Sequence, residues 1–164
     1  MYVRQLAAAA ALLFGSALLP AVATQKSQEQ FLKQAIEANY AEIQLGKLAE
    51  QKGQSEDVKS FGRTLATDHE QANTKAIALA DQLGIQPPTG PSKQQQKEYQ
   101  SLQEKSGDRF DKTFVKHEMK DHKKVIGRFQ KEANGKDQLA QYAQETLPVL
   151  KKHEDMAKSI KSGK

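Results

Sequence analysis

Apolar residues recur at spacings of three and four between residues 31 and 160, and no stretch alternates polar with β-branched apolar residues. Spacings of three and four place side chains on one face of a helix, whereas a strand repeats every two residues. The pattern therefore predicts an all-α protein in which each helix buries one face against its neighbours.

Capping and turn residues divide the first half of this pattern into two helices. Ser27 opens a capping box that predicts the start of the first helix, and Gly53 predicts its end. Ser55, followed by two acidic residues, predicts the start of the second helix, which ends at Gly84. The predicted buried faces are Phe31, Ala35, Ala38, Glu42, Leu45 and Ala49 in the first helix and Val58, Phe61, Leu65, His69, Ala72, Ala76, Leu79 and Leu83 in the second.

The second half of the chain is divided in the same way. Asp108 predicts the cap of a third helix that ends near Gly135, and a fourth helix begins near Asp137. Pro148 should kink the fourth helix, because proline cannot donate a backbone hydrogen bond. The predicted buried faces are Phe110, Phe114, Val115, Met119, His122, Ile126 and Phe129 in the third helix and Leu139, Tyr142, Thr146, Leu150, His153, Ala157 and Ile160 in the fourth.

The two hairpins are joined by a long crossover over residues 84–107. Its proline-rich start at 87–91 cannot be helical, and the polar stretch from Ser92 to Lys105 predicts a short connector helix. Two helical hairpins joined by a long crossover that contains a short helix form a ferritin-like four-helix bundle. The alternative is an up-down-up-down bundle in which the loop between the second and third helices contains the short connector helix.

The N-terminus has the pattern of a secretory signal peptide. One cation at Arg4 precedes an apolar run over residues 6–19, and small residues follow up to Ala23. We therefore expect a signal peptide at 1–23, one domain at 24–164, and a location in the periplasm or outside the cell. We expect no integral membrane segment after cleavage, because no later stretch is long and apolar enough. The chain has no cysteine, so disulfides and thiolate sites are excluded.

Charge and motifs exclude several functions. The net charge is +5, but the cations are interspersed with acids and no aromatic-studded basic stripe exists, so we expect no nucleic-acid partner. The chain also lacks a phosphate-binding glycine loop, a nucleophile elbow and a His-Glu-x-x-His pair. The remaining partner class is another component of the cell envelope, and no oligomeric state is predicted.

Several local patterns together resemble a known family. They are Asn39, Glu42 and Ile43 in the first helix, Asp68 and His69 in the second, Phe110, Asp111, Met119 and His122 in the third, and Leu147, Pro148, Leu150 and His153 in the fourth. Over roughly residues 28–160 the chain resembles a widespread group of short exported bacterial proteins of unknown function, often labelled predicted outer membrane proteins. The resemblance implies a ferritin-like fold and export, and it implies no activity.

Three histidines lie within the predicted buried faces, one on each of the last three long helices. At about 1.5 Å of rise per residue, His69, His122 and His153 each lie roughly 21 to 24 Å along their helices, near the middle. Glu42, the one charged residue on the buried face of the first helix, comes within about a turn of this level, and Glu118 lies one turn from His122. These five residues form the candidate metal site, with Glu42 as the fourth ligand of the histidines.

The types of donor atom in this site restrict which metal ion it can bind. Di-iron carboxylate bundles need Glu-x-x-His on two helices, but Ala66, Met119 and Leu150 occupy the positions three before the histidines. Three imidazoles and a carboxylate instead suit a single zinc, iron, nickel or oxidised copper ion. Met119 and Met156 lie one turn from a histidine, which would favour copper if they are ligands, although methionine is usually core filler.

A metal-free interpretation remains beside this one. A buried histidine is often only a core residue whose hydrogen bonds are satisfied by neighbours, and Glu42 or Glu118 would serve. The chain would then be a helical module that binds an envelope component or acts in stress tolerance, without catalysis. Within the helices, Gly46, Gly62 and Gly127 are interpreted as points of close packing rather than cofactor contacts.

Overall fold

The structure, a computed structural model, describes residues 18–163, with side chains from residue 25 onwards except at 162. All five elements in this part of the chain are helices: α1 Leu18–Lys52, α2 Glu56–Gln82, α3 Lys93–Gln103, α4 Gly107–Glu132 and α5 Gln138–Ser162. The all-helical prediction is confirmed. Most of the predicted signal peptide lies outside the described residues.

The long helices pack as antiparallel neighbours. Short connections pair α1 with α2 and α4 with α5, and α2 also packs on α5. Gln34 of α1 accepts a hydrogen bond from Arg128 near the end of α4, and the backbone after α1, at Gln54, donates to Asp111 near the start of α4. Because α2 runs back along α1, the C-terminal end of α2 and the start of α4 therefore lie at opposite ends of the molecule. The connection between them, which contains α3, runs along its length against α1 and α4.

Two apolar clusters fill the interior at opposite ends of the long helices. One contains Leu32, Ile36, Leu79, Ile126, Phe129, Leu139 and Leu150, and the other contains Leu45, Leu48, Val58, Phe61, Leu65, Phe110, Phe114 and Val115. Buried polar residues separate them, namely Asn39, Glu42, His69, Asn73, Glu118, His122, Thr146 and His153. The candidate site therefore lies at mid-height, between two apolar half-cores that hold the helices in place.

Helix caps agree with the sequence at three starts and differ at two. Ser55 and Asp137 lie directly before α2 and α5, where helix starts were predicted, and their side chains accept from the backbone three residues later; Ser92 forms a full capping box before α3. The first helix is already helical at Leu18, the first described residue, so it does not start at Ser27. The cap of α4 is Ser106, and the predicted cap Asp108 lies in the first turn, where its charge faces the positive end of the helix dipole.

The glycines inside the helices differ in how closely other residues pack against them. A Cβ on Gly46 would lie 2.6 Å from the carbonyl oxygen of Gly62, and one on Gly62 would lie 2.5 Å from that of Gly46, so α1 and α2 approach closely there. At Gly127 no described atom lies within 4 Å of such a Cβ, so the close-packing prediction is wrong there. The predicted burial of Leu83 is also wrong: it follows the last turn of α2 and is 41% exposed.

α5 continues through Pro148 without ending.

None of the helices within residues 18–163 combines the length and the apolar character needed to cross a membrane.

Candidate metal centre

Three imidazole rings meet in the middle of the molecule, each from a different helix. The ring centroids of His69 and His153 are 5.2 Å apart, those of His122 and His153 are 5.3 Å apart, and those of His69 and His122 are 5.9 Å apart. All three side chains are buried, with His153 completely inaccessible. We call these residues the histidine trio.

The outward nitrogen of His69 is fixed by α1. Its Nδ1 lies 2.9 Å from Asn39 Oδ1, and an amide oxygen only accepts, so Nδ1 carries the proton. The amide is itself oriented because Asn39 Nδ2 donates to the hydroxyl of Tyr142, which in turn donates to the carbonyl of Ala72. In the neutral ring, Nε2 of His69 is then an unprotonated acceptor. It is buried and has no hydrogen-bond partner among the described residues.

The other two rings are fixed in the same manner. His122 Nδ1 donates to the backbone carbonyl of Glu118 at 3.0 Å, and His153 Nε2 donates to Asp68 Oδ2 at 2.8 Å. Burial opposes the ionisation of Asp68, but hydrogen bonds from His153 and Lys152 hold its pKa below the ordinary value. A histidine whose outer N–H is held by a carboxylate or a carbonyl presents its other nitrogen as a metal ligand.

The unprotonated nitrogens of His122 and His153 face each other. His122 Nε2 lies 3.3 Å from His153 Nδ1, and one ligand atom from each of the three rings lies within 4.8 Å of the others. Two nitrogens bound tetrahedrally to one zinc ion at about 2.0–2.1 Å would be roughly 3.3–3.4 Å apart. The observed separation therefore fits a shared ion, whereas two lone pairs at that distance with nothing between them repel each other.

Burial keeps the rings of His69 and His153 neutral. It lowers the pKa of His69 well below the ordinary value of 6.5, and it lowers the pKa of His153 to about 4, against the opposing hydrogen bond from Asp68. Metal ions bind the neutral form of imidazole. At neutral pH the two rings can bind an ion without first losing a proton.

A pair of buried carboxyl groups adjoins the trio. Glu42, Glu118 and His122 form a second group whose ligand atoms lie within 4.8 Å of one another. Burial raises the pKa of Glu118 to about 8; burial, and then the charge of Glu118, raise the pKa of Glu42 well above its ordinary value. Glu42 Oε2 and both carboxyl oxygens of Glu118 accept no hydrogen bond from another described residue, and a proton on either group lets the two carboxyl groups bond to each other. At least one of the two groups is therefore protonated at neutral pH.

The five candidate ligands thus fall into two groups that share His122. His69, His122 and His153 come together as one set. Glu42, expected as the fourth ligand of the histidines, forms a second group with Glu118 and His122 and lines the same cavity as His69. His117 belongs to neither group, and Met119 and Met156 pack against the apolar cluster around Phe61.

Sequence reasoning did not assign Asp68, Asn39 and Tyr142 to the site. Asp68 precedes His69 in the chain but serves the ring of His153 on another helix, which is a long-range contact that spacing cannot reveal. Asn39 lies three residues before Glu42 on the same face of α1, so its position on the buried stripe was the available signal.

Comparison with known proteins identifies a family. A family model described as "Domain of unknown function (DUF4142)" matches residues 16–160. None of the curated proteins and none of the solved structures matches the chain. Because the family model covers most of the sequence, the chain belongs to this family of unknown function.

Proposed function

We propose that the protein binds one transition-metal ion through His69, His122 and His153. The observation that carries the proposal is the orientation of the three rings: each outer nitrogen is held by an acceptor, and the inner nitrogens converge, two of them at 3.3 Å. Oriented and buried imidazoles are costly to assemble without a partner, because each inner lone pair has lost its water.

Zinc fits this site best among zinc, iron and copper. The spacing of His122 Nε2 and His153 Nδ1 matches tetrahedral zinc, and imidazole is one of its usual ligands. Iron, nickel and oxidised copper also bind imidazole, but the last two favour square-planar or tetragonal geometry. The proposed role is metal binding without catalysis.

The proposal includes the fold type and the export of the protein. A ferritin-like four-helix bundle is supported by the two antiparallel hairpins and by the crossover that runs along the molecule. Export to the periplasm or the exterior is supported by the signal-peptide pattern at residues 1–23. N-terminal sequencing of protein recovered from outside the cytoplasm should begin behind Ala23; an intact Met1 there would contradict it.

Elemental analysis of protein purified without an affinity tag, followed by zinc titration, tests the metal site. His122→Ala should lose tight binding, because His122 contributes to both groups of ligands. His117→Ala is the matched control, since His117 lies on the same helix, is half-buried and lies outside both groups. Equal zinc binding by wild type and His122→Ala would refute the proposal.

One specific observation favours a metal-free alternative. Glu118 Oε2 lies 3.4 Å from His122 Nδ1, so a second proton on His122 would form a buried ion pair with Glu118 and donate to His153. The chain would then be a helical module that binds an envelope component or acts in stress tolerance. In that case wild type and His122→Ala would both bind no zinc.

A further inference from the structure

A small cavity adjoins the histidine trio on the side of α1 and α4. Its volume of about 20 Å³ is room for about one water molecule. The residues that line it include Glu42, Asn39 and two members of the trio, His69 and His122. His153 is not among them. The cavity therefore lies to one side of the trio, next to the carboxyl pair.

Two residues that line the cavity carry polar atoms without a partner. His69 Nε2 and Glu42 Oε2 are both buried, and neither has a hydrogen-bond partner in residues 25–161. Buried polar atoms are normally satisfied, and an ordered water molecule in a polar cavity normally makes about three hydrogen bonds. The cavity thus has the size and the polarity for one small polar ligand.

We propose that a metal ion on the histidine trio keeps its fourth coordination position for one exchangeable ligand of the size of water, held in this cavity beside Glu42. The inference rests on the proposed function, because without the metal ion the cavity would hold only an ordinary buried water. Three protein ligands and one water allow ligand exchange, whereas four protein ligands close a zinc site. The ligand class is water, hydroxide or an anion of one or two atoms.

The position of Glu42 supports an exchangeable ligand rather than a fourth protein ligand. Glu42 is grouped with Glu118 and His122, not with the complete trio. From the wall of the cavity, its unpartnered oxygen is available to a ligand as a hydrogen-bond partner. The half-buried Ala38 of α1 and Val125 of α4 also line the cavity.

The test uses cobalt(II), whose visible spectrum reports the ligands of a tetrahedral site. The cobalt-loaded protein is mixed with fluoride or cyanide as small probes and with acetate as a larger one, and the cobalt content is measured after gel filtration. The small probes should shift the spectrum of the bound ion, and acetate at the same concentration should not.

Two variants of opposite effect test the role of the cavity. Ala38→Val should reduce the space and weaken the binding of cyanide by about tenfold or more, as expected for added methyl groups in a tight pocket. Val125→Ala should enlarge the space and allow acetate to shift the spectrum. Both variants should retain cobalt, because neither residue belongs to the trio.

The outcomes separate this inference from the proposed function. If the wild type takes up no cobalt, both fail. If cobalt binds but no small probe changes its spectrum, the proposed function stands and the exchangeable position does not exist. A fourth protein ligand on the ion, or a water molecule that does not contact it, would then account for the cavity. If acetate acts as well as cyanide in the wild type, the open position faces solvent and the assignment to this cavity is overturned.

Discussion

Glu118→Gln should stabilise the metal-free protein at alkaline pH and change little at acidic pH. Glu118 is completely buried, and burial raises its pKa from the ordinary 4.5 to about 8. The folded protein therefore binds a proton that the unfolded chain releases between these values. The associated stability is fully present below pH 4.5 and is lost as the pH rises towards 8. Glutamine keeps the size of the side chain and remains neutral throughout.

The magnitude follows from the width of that window. Stability falls by about 1.4 kcal/mol for each pH unit over which the folded state holds one extra proton. Across the window from 4.5 to about 8, the ionisation of Glu118 lowers the free energy of unfolding by roughly 5 kcal/mol. The advantage of Glu118→Gln should therefore grow with pH by an amount of this order.

Urea unfolding with a chelator present, followed by far-UV circular dichroism across this pH range, measures the effect. Subtracting the wild-type curve from the variant curve removes the contributions of His69 and His153, so the difference reports Glu118 together with Glu42, whose pKa the charge of Glu118 raises. Glu104→Gln is the control, because Glu104 is exposed after α3 and undergoes the same chemical change. If Glu118→Gln is less stable than the wild type at pH 8, the folded protein stabilises the Glu118 carboxylate instead of opposing its ionisation, and the reasoning is refuted.

Three further predictions concern packing, the outer shell of the site and acid release of the metal. Gly46→Ala should lower the free energy of unfolding by about 1–3 kcal/mol because its Cβ would meet the backbone of α2. Gly127→Ala should raise the free energy of unfolding by up to about 1 kcal/mol. If urea unfolding shows the same change for Gly46→Ala and Gly127→Ala, the assigned packing of the two glycines is wrong. Asp68→Asn should weaken zinc binding by about 10 to 100-fold, measured by competition with a chelator, without loss of helical circular dichroism. Burial lowers the pKa values of His69 and His153, so these ligands become protonated only in acid. A metal-sensitive dye should therefore detect zinc release only below pH 6.5. Zinc release above pH 6.5 would contradict binding by these buried histidines.

The helices were predictable because their signals are local. Ser55, Ser92 and Asp137 cap helices by contacts with residues only three positions later, so the sequence contains both partners of each bond. The start of α1 was missed because a capping box at Ser27 permits a helix start but does not end a helix that arrives from Leu18. Local propensity therefore predicts the type of element better than its first residue.

Contacts between helices were only partly predictable. The rise per residue places His69, His122 and His153 near mid-helix, and the structure brings their rings together. The hydrogen bonds that orient the rings join residues far apart in the chain, such as His153 and Asp68, and no spacing rule indicates them. For the same reason the sequence could not separate Glu42 from the trio.

The glycines show the same limit. Gly46 and Gly62 face each other across α1 and α2, whereas Gly127 faces open space on α4. All three interrupt an otherwise strong helical pattern, so the sequence gives them one interpretation. Only the packing of the helices shows which of them allows a close approach.

X-ray absorption spectroscopy at the zinc edge of the loaded protein tests the central claim most directly. The account predicts three imidazole nitrogens at about 2.0–2.1 Å and one further light ligand. His69→Ala, which removes one ring, should lose one imidazole from that shell or fail to hold the ion. A shell made of carboxylate oxygens and water, with no contribution from imidazole rings, would contradict it.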